Sequence, residues 1–175
     1  MTRPLLADKV AFVTGASRGI GEAIARRLGA EGARVVLAAR DLGACEGHAA
    51  AMRAAGQEAL ALSCNVTDRA SVALAIGAAV TRWGRIDILV NNAGLGGRTA
   101  LDDPGDARWD AILATNLTAV FRVIREASGH LSEGGRIVNL SSVLGRFGVP
   151  GFAAYCASKH GVIGLTRSLA LELAP

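Results

Sequence analysis

The sequence predicts an α/β fold in which a doubly wound parallel sheet of about five strands carries helices on both faces. Short, β-branched and almost entirely apolar runs alternate with longer amphipathic stretches, and glycine-containing turns separate them. Strands that alternate with helices form parallel sheets, and strands that are buried on both faces are apolar throughout. Because β-α-β connections are right-handed, such a sheet is wound in both directions.

Five apolar runs are predicted strands, at residues 9–14, 33–39, 58–63, 87–90 and 136–140. Five longer stretches are predicted helices, at residues 19–31, 42–55, 66–82, 109–131 and 155–173. The first helix has Ile20, Ala23, Ile24 and Leu28 on one side. Thr67 or Asp68 is the expected N-cap of the third. The chain has 175 residues, of which 51% are hydrophobic. We therefore expect one domain over residues 1–175.

Composition excludes several classes of function. The net charge is +4, but the basic residues are scattered and few aromatic residues lie among them, so we expect no nucleic-acid partner. No apolar tract is long enough for a membrane span. Three cysteines without a Cys-x-x-Cys motif indicate free thiols, and the start lacks a signal-peptide core, so we expect a cytoplasmic protein. The histidines His48, His130 and His160 fit no metal or triad pattern, and we interpret them as structural or solvated.

The loop after the first strand is the first candidate binding site. Its sequence is Thr14-Gly15-Ala16-Ser17-Arg18-Gly19-Ile20-Gly21, with three glycines between a strand and a helix. Glycine allows a sharp turn and a close approach of the backbone, and the helix start offers unpaired N–H groups to a phosphate. No Gly-Lys-Ser/Thr follows, so it is not a P-loop. A purely structural turn is the alternative interpretation.

The end of the second strand indicates which dinucleotide would bind. An acidic residue there would take the ribose 2′-hydroxyl of NAD, but this strand ends in Ala39 and Arg40. Arg18 and Arg40 are both placed to meet a 2′-phosphate, which favours NADP. Asp41 follows at once and keeps NAD possible. The alternative is that both arginines are solvated loop residues.

A second constellation lies in the last third of the chain. Tyr155 and Lys159 are four residues apart on a predicted helix, so both face the same side. An ammonium beside a phenol favours the phenolate, and such a tyrosine can give or take a proton near neutral pH. Ser142 follows the fifth strand at the binding edge of the sheet, where its hydroxyl could hold a carbonyl. Taken alone, the pair is better explained by a core tyrosine and a solvated lysine.

Together these motifs resemble the short-chain dehydrogenase/reductase family. The matches are the glycine-rich loop 14–21, Asn91-Asn92-Ala93-Gly94, Asn116, Ser142 and Tyr155-x-x-x-Lys159, in the family's order and spacing. The 3-oxoacyl-[acyl-carrier-protein] reductase-like members are the most similar. The resemblance implies a Rossmann-like fold and an NADP(H)-dependent oxidoreductase. It would transfer hydride between the nicotinamide and a carbonyl or secondary alcohol, with a 3-oxoacyl thioester among the candidates.

The resemblance also implies roles for individual residues. Tyr155 would be the catalytic acid/base, Lys159 would stabilise its phenolate and hold the nicotinamide ribose, and Ser142 would orient the substrate oxygen. Asn116 would anchor a water of a proton relay by perturbing the long helix. The implied cofactor-binding residues are Gly15, Ser17, Arg18, Gly19, Ile20, Gly21, Arg40, Asn65, Val66, Asn92, Ala93, Gly94, Tyr155 and Lys159. Many relatives have Asp where this chain has Asn65; an amide can still hydrogen-bond the adenine amino group.

The C-terminus departs from the family pattern. The chain ends within or just after the helix of Tyr155 and Lys159, whereas family members continue with a further strand, a Pro-Gly turn and a substrate flap. We therefore expect a C-terminally truncated fold, and a catalytically inactive chain that only binds nucleotide or another subunit is the alternative function. The resemblance implies a homodimer or homotetramer. The loops 95–105 and 144–152 are apolar and glycine-rich, which suits an apolar ketone without choosing one.

Overall fold

The computed structural model describes residues 4–102 and 105–174, so residues 103 and 104 of the loop 95–105 lie outside it. Its strands are β1 (Val10–Thr14), β2 (Arg34–Ala39), β3 (Ala59–Ser63), β4 (Ile86–Asn91) and β5 (Leu131–Asn139). They form one sheet in the order β3-β2-β1-β4-β5, and β1 pairs in parallel with both β2 and β4. The order reverses beside β1, which confirms the predicted doubly wound sheet.

Within the residues that the structure describes, six α-helices follow or separate the strands. They are α1 (Gly19–Ala30), α2 (Leu42–Ala54), α3 (Arg69–Trp83), α4 (Ala107–Leu113), α5 (Ala119–Ser128) and α6 (Ala153–Leu173). A π-helical turn, Ala114–Thr118, joins α4 to α5, and a 3-10 turn, Val143–Gly145, follows β5. Asp68 caps α3 by accepting a hydrogen bond from the Ala70 N–H at 3.0 Å, so of the two predicted caps Asp68 is the correct one.

The chain divides into two compact units. The sheet unit comprises the described residues up to 93 together with residues 123–138, and the helical unit comprises the described residues of 94–122 and those from 139 onward. In the sheet unit every residue of β1 is buried, and so are the facing β2 residues Val35, Val36 and Leu37. Burial on both faces is what made these strands apolar throughout.

Two predicted boundaries are wrong in the same region. The predicted helix 109–131 is interrupted by the π turn and ends at Ser128, and the predicted strand 136–140 already begins at Leu131. The chain turns at Gly129, and the Ile86 N–H then donates to the His130 carbonyl at 2.9 Å, which brings the following residues alongside β4. Gly134 lies inside the strand with φ of +69°. Consecutive glycines are typical of turns, which concealed the first half of this strand.

In the described part of the chain, none of the helices combines the length and the apolar character that a membrane span needs. Over the same residues, no group of three or more His, Cys, Asp or Glu side chains could hold a metal ion. The three thiols are free, as predicted, with Cys45 and Cys64 buried and Cys156 half-buried. Burial raises the pKa of Cys45 and of Cys64 to about 11, so both thiols stay protonated at neutral pH.

Candidate active site

The glycine-rich loop of the sheet unit needs its glycines for two different reasons. Gly15 and Gly19 have φ of +66° and +62°, a region that side chains with a Cβ rarely adopt. Gly21 has no such constraint, but a Cβ there would lie 2.3 Å from the Gly15 carbonyl oxygen and 2.4 Å from the Asn92 amide nitrogen. The first turn of α1 therefore packs directly against the loop, and any larger residue at 21 would separate them.

Thr14 and Asn92 hold this loop in place. The Asn92 Nδ2 donates to the carbonyls of Thr14 at 2.9 Å and Gly15 at 3.1 Å. The Thr14 hydroxyl accepts from the backbone N–H of Asn92 at 3.0 Å and of Ala93 at 3.1 Å, and donates to Val90 O. The end of β4 thus fixes the end of β1. Asn92 and Ala93 support the loop; contact with a cofactor stays a prediction for both residues and for the exposed Gly94.

The start of α1 is suited to an anion. Arg18 is the residue before the helix, is extended (φ −166°, ψ 166°) and gives α1 no side-chain cap. The first N–H groups of a helix have no partner within it, so an uncapped start can donate them to a phosphate. Arg18 and Ile20 are exposed beside this start and Ser17 is half-buried. The loop therefore has the geometry that a pyrophosphate cradle requires.

The two residues after β2, Arg40 and Asp41, differ in the contacts of their side chains. The Asp41 carboxylate accepts a hydrogen bond from the Ala44 N–H at 3.0 Å and caps α2. Arg40, one residue earlier, has an exposed side chain. The carboxylate that kept NAD possible thus caps a helix, while the Arg40 side chain is exposed to solvent. Contact of Arg40 with a 2′-phosphate stays a prediction.

Beyond β3, Asn65 closes a local turn. Its Oδ1 accepts from the Thr67 N–H at 3.2 Å and from the Thr67 hydroxyl at 2.9 Å, while Val66 beside it is buried. The amide oxygen is therefore shared with the turn. The predicted bond from Asn65 to an adenine amino group stays a prediction.

In the helical unit, α6 carries Tyr155 and Lys159. The Lys159 Nζ lies 5.7 Å from the centroid of the Tyr155 ring and donates to the Leu140 carbonyl at 2.7 Å. Lys159 is buried, and burial lowers its pKa from the ordinary value. A partly desolvated ammonium next to a phenol exchanges its proton more readily than a solvated lysine.

The segment after β5 is fastened to the same turn of α6. The Ser141 hydroxyl donates to the Lys159 carbonyl at 2.9 Å, whereas the Ser142 hydroxyl accepts from the Leu144 N–H at 3.2 Å. A Cβ on Gly145 would lie 2.5 Å from the Ser141 Oγ and 2.9 Å from the Lys159 oxygen. Ser141 is thus occupied in fastening the segment, and Ser142, the serine that the spacing favoured, can donate its hydroxyl proton elsewhere.

Asn116 lies in the π turn and is almost completely buried. Its Oδ1 accepts from the Leu95 N–H at 2.7 Å, and its Nδ2 donates to the Leu95 carbonyl at 2.8 Å and to the Ser158 hydroxyl at 3.2 Å. Ser158 in turn donates to the Tyr155 carbonyl at 2.8 Å. The long helix is perturbed at Asn116, but the side chain holds the backbone of residue 95 and the turn that carries Tyr155. A bound water stays a prediction.

Sequence reasoning missed two residues of this unit, Ser158 and Thr99. Thr99 is buried, and its hydroxyl accepts from the Ala154 N–H at 3.1 Å, while its own N–H donates to Gly151 at 2.8 Å. The loop 95–99 is therefore attached to the first turn of α6. The position of Ser158 next to Lys159 is a sequence signal for its role, whereas nothing near Thr99 in the sequence indicates its partner 55 residues away.

The family model for short chain dehydrogenases matches residues 9–175. This chain belongs to the short-chain dehydrogenase/reductase family. Each unit by itself carries residues that fit this family: the sheet unit holds the glycine-rich loop, and the helical unit holds the serine, tyrosine, lysine and asparagine.

Individual family members are similar over nearly the whole chain. A putative ketoacyl reductase 1 of the granaticin polyketide synthase from Streptomyces violaceoruber is 46% identical over 172 residues, which are 96% of this chain and 63% of that protein. A 3-oxoacyl-[acyl-carrier-protein] reductase FabG from Staphylococcus aureus is 43% identical over 95% of this chain and 69% of that protein. The chain spans 63–66% of the first three curated relatives.

Two similar solved structures have the same fold. A dehydrogenase/reductase from Sinorhizobium meliloti 1021 gives a TM-score of 0.94 at 40% identity and covers 99% of this chain and 69% of its own. A variant of the actinorhodin polyketide ketoreductase with NADPH gives a TM-score of 0.89 at 46% identity, over 95% of this chain and 65% of its own.

Proposed function

We propose that this chain provides the catalytic and cofactor-binding residues of an NADP(H)-dependent oxidoreductase that interconverts a carbonyl and a secondary alcohol. The observation that carries the proposal is the arrangement on α6, where the Leu140 carbonyl holds the Lys159 ammonium 5.7 Å from the Tyr155 ring. A buried lysine needs a reason to be there, because burying its charge is costly. Support for a phenolate that gives and takes a proton is such a reason.

The choice of NADP over NAD is supported by two side chains. Arg40 is exposed where the 2′-phosphate would lie, and the Asp41 carboxylate is engaged in capping α2. The uncapped start of α1 and the glycine contacts at position 21 fit the pyrophosphate of either dinucleotide. The similar actinorhodin ketoreductase structure contains NADPH, which agrees with this choice.

The mechanism follows from the hydroxyls of the helical unit. Tyr155 donates its phenolic proton to the carbonyl oxygen of the substrate, and the Lys159 ammonium stabilises the phenolate that remains. Ser142 accepts from Leu144 and directs its own proton to the same oxygen, which polarises the carbonyl. When bound, the cofactor supplies the hydride that reduces the carbonyl carbon. We infer that Asn116 acts in the proton relay through the π turn that contains it.

The substrate is a ketone or its alcohol, and a 3-oxoacyl thioester is the candidate that the relatives' names support. The loop after Ser142 presents the exposed apolar side chains Val143, Phe147 and Val149, which suit an apolar substrate. The three free thiols agree with the reducing environment of the cytoplasm.

We further propose a homodimer or homotetramer in which α4, α5 and α6 contact other copies. The aromatic residues Trp109 and Phe121 on these helices are 39% and 40% exposed, and Leu171 is 85% exposed. Exposed aromatic and aliphatic side chains are enriched where proteins associate. Light scattering should show a dimer or larger species at micromolar concentration, and a strictly monomeric protein would contradict this part of the proposal.

The test of the function is NADPH-dependent reduction of a 3-oxoacyl N-acetylcysteamine thioester and of a simple apolar ketone. Tyr155→Phe removes only the hydroxyl, so turnover should fall at least 100-fold while NADPH still binds. Cys156→Ser, on the next residue of the same helix and about 100° around it, is the matched control and should keep full turnover. Unchanged turnover in Tyr155→Phe would refute the role of the phenol. NADPH binding without turnover in the unmodified chain would favour the nucleotide-binding alternative.

A further inference from the structure

His48 is a half-buried residue of α2 for which the sequence suggested no function. Its side chain is 21% exposed, and its Nε2 lies 3.0 Å from the carbonyl oxygen of Ser17. Ser17 is the third residue of the glycine-rich loop, counted from Gly15. The imidazole therefore contacts the loop directly, from a helix that otherwise packs on β2 and β3.

The partners of the two ring nitrogens fix the ring's tautomer. A carbonyl oxygen only accepts, so Nε2 carries the hydrogen and donates to Ser17. In the neutral ring Nδ1 is then an acceptor, and Arg26 Nη2 lies 3.2 Å from it as the donor. Arg26 is itself held by Glu22, to which its Nε donates at 2.9 Å. Glu22 Oε1 also lies 3.4 Å from Nδ1. Arg26, itself held by Glu22, thus orients the ring that holds the loop.

The bond to Ser17 also orients the next residue. A peptide bond is planar and trans, so the Ser17 carbonyl and the Arg18 N–H point in opposite directions. Because His48 holds the carbonyl toward α2, the Arg18 N–H is directed to the other side of the loop. Arg18 lies at the uncapped start of α1, and its side chain is exposed. The orientation of one peptide therefore decides where an N–H and a guanidinium are presented.

We propose that His48 is a positioning residue for the phosphate-binding loop, which holds the Ser17–Arg18 peptide so that Arg18 meets the phosphate groups of NADP(H). The inference rests on the proposed function, since it assumes that the loop binds the dinucleotide. His48 itself touches neither the substrate nor the reacting atoms. Its effect should therefore appear in cofactor affinity and leave the chemical step unchanged.

Three variants separate positioning from general support of the fold. His48→Ala removes the donor. His48→Gln restores it, because the glutamine Nε2 lies the same number of bonds from Cα as the histidine Nε2 and is a donor. Glu46→Gln is the matched control on the same helix, since Glu46 pairs with Arg53 and the carboxylate is 54% exposed.

The measurements are the NADPH dissociation constant by fluorescence titration, KM for NADPH and kcat, and the melting temperature of each variant. His48→Ala should weaken NADPH binding three- to tenfold, as expected for one lost hydrogen bond, and raise KM by the same factor with kcat within twofold. His48→Gln should recover at least half of the affinity, and Glu46→Gln should bind as the unmodified chain does.

Each alternative outcome has its own meaning. If the unmodified chain does not bind NADPH, the proposed function fails. If it binds and His48→Ala binds equally well, the positioning role is refuted. If His48→Gln binds NADPH as weakly as His48→Ala does, the proposal is wrong. It is also wrong if the affinity falls only together with the melting temperature and Glu46→Gln shows the same fall, because His48 then supports the fold alone.

Discussion

Asp87→Asn tests how the sheet unit accommodates a buried charge. Asp87 is the second residue of β4, and its side chain is only 3% exposed. Its oxygens accept from the Val10 N–H at 2.9 Å, the Ser132 hydroxyl at 2.8 Å, Arg85 Nε at 3.0 Å and Lys9 Nζ at 3.3 Å. All four partners are donors. An asparagine would turn its NH₂ toward two of them, so one side of the site would lose its bonds.

The pKa of Asp87 gives the magnitude. Burial raises this pKa, but the hydrogen bonds from Val10, Ser132, Arg85 and Lys9 lower it by a larger amount. The pKa therefore falls from the ordinary 3.8 to about 2. A carboxyl whose pKa is lower in the folded state stabilises the fold when ionised, here by about 2 kcal/mol. The contribution is complete above the unfolded pKa, and it is lost as the pH falls from about 4 towards 2.

Urea unfolding followed by circular dichroism measures the effect. At pH 7 Asp87→Asn should lower the free energy of unfolding by about 2–3 kcal/mol, and this difference should shrink to well under half of that value at pH 2.5. Glu58→Gln is the control, because its ion pair with Arg34 is half-exposed and worth at most about 1 kcal/mol. The reasoning is refuted if the deficit of Asp87→Asn is the same at both pH values, or no larger than that of Glu58→Gln.

Three further predictions concern the candidate site. Gly21→Ala should reduce NADPH affinity at least tenfold in a fluorescence titration, because its Cβ would overlap a backbone oxygen of the loop, whereas Gly47→Ala, with open space around it, should not. Asn116→Ala should lower the free energy of unfolding by about 2–3 kcal/mol in urea titrations, since the part-buried backbone groups of Leu95 lose their partners. Arg40→Ala should shift the ratio of kcat/KM for NADPH and NADH at least tenfold toward NADH; an unchanged ratio would contradict its assignment to the 2′-phosphate.

Most predictions that depend on neighbouring residues were accurate. The apolar runs placed the first three strands to within one residue at each end, because burial on two faces leaves a signature in every residue of a strand. The spacing of Tyr155 and Lys159 placed both on one helix, since four residues are about one helical turn. The glycines of the loop also predicted a sharp turn of the backbone, which the positive φ of Gly15 and Gly19 confirms.

Predictions that depend on distant partners needed the structure. Asp41 caps its own helix, a use that a search for a ribose-binding acid did not consider. The strand β5 begins five residues early because the preceding turn delivers it to β4. Asp87 is stabilised by Val10, 77 residues away, and no local pattern indicates that distance.

The amino-acid order alone therefore predicted most of the secondary structure, the type of the glycine-rich loop and the candidate catalytic residues. Those depend on backbone propensity and on the period of the side chains, which act over a few residues. Tertiary structure decided which polar groups are already used within the protein and which are left for a ligand. Ser141 is bound to Lys159, Asn116 to Leu95 and His48 to the glycine-rich loop. A buried polar group takes whichever partner the folded chain brings within reach, and chain folding over tens of residues determines that partner.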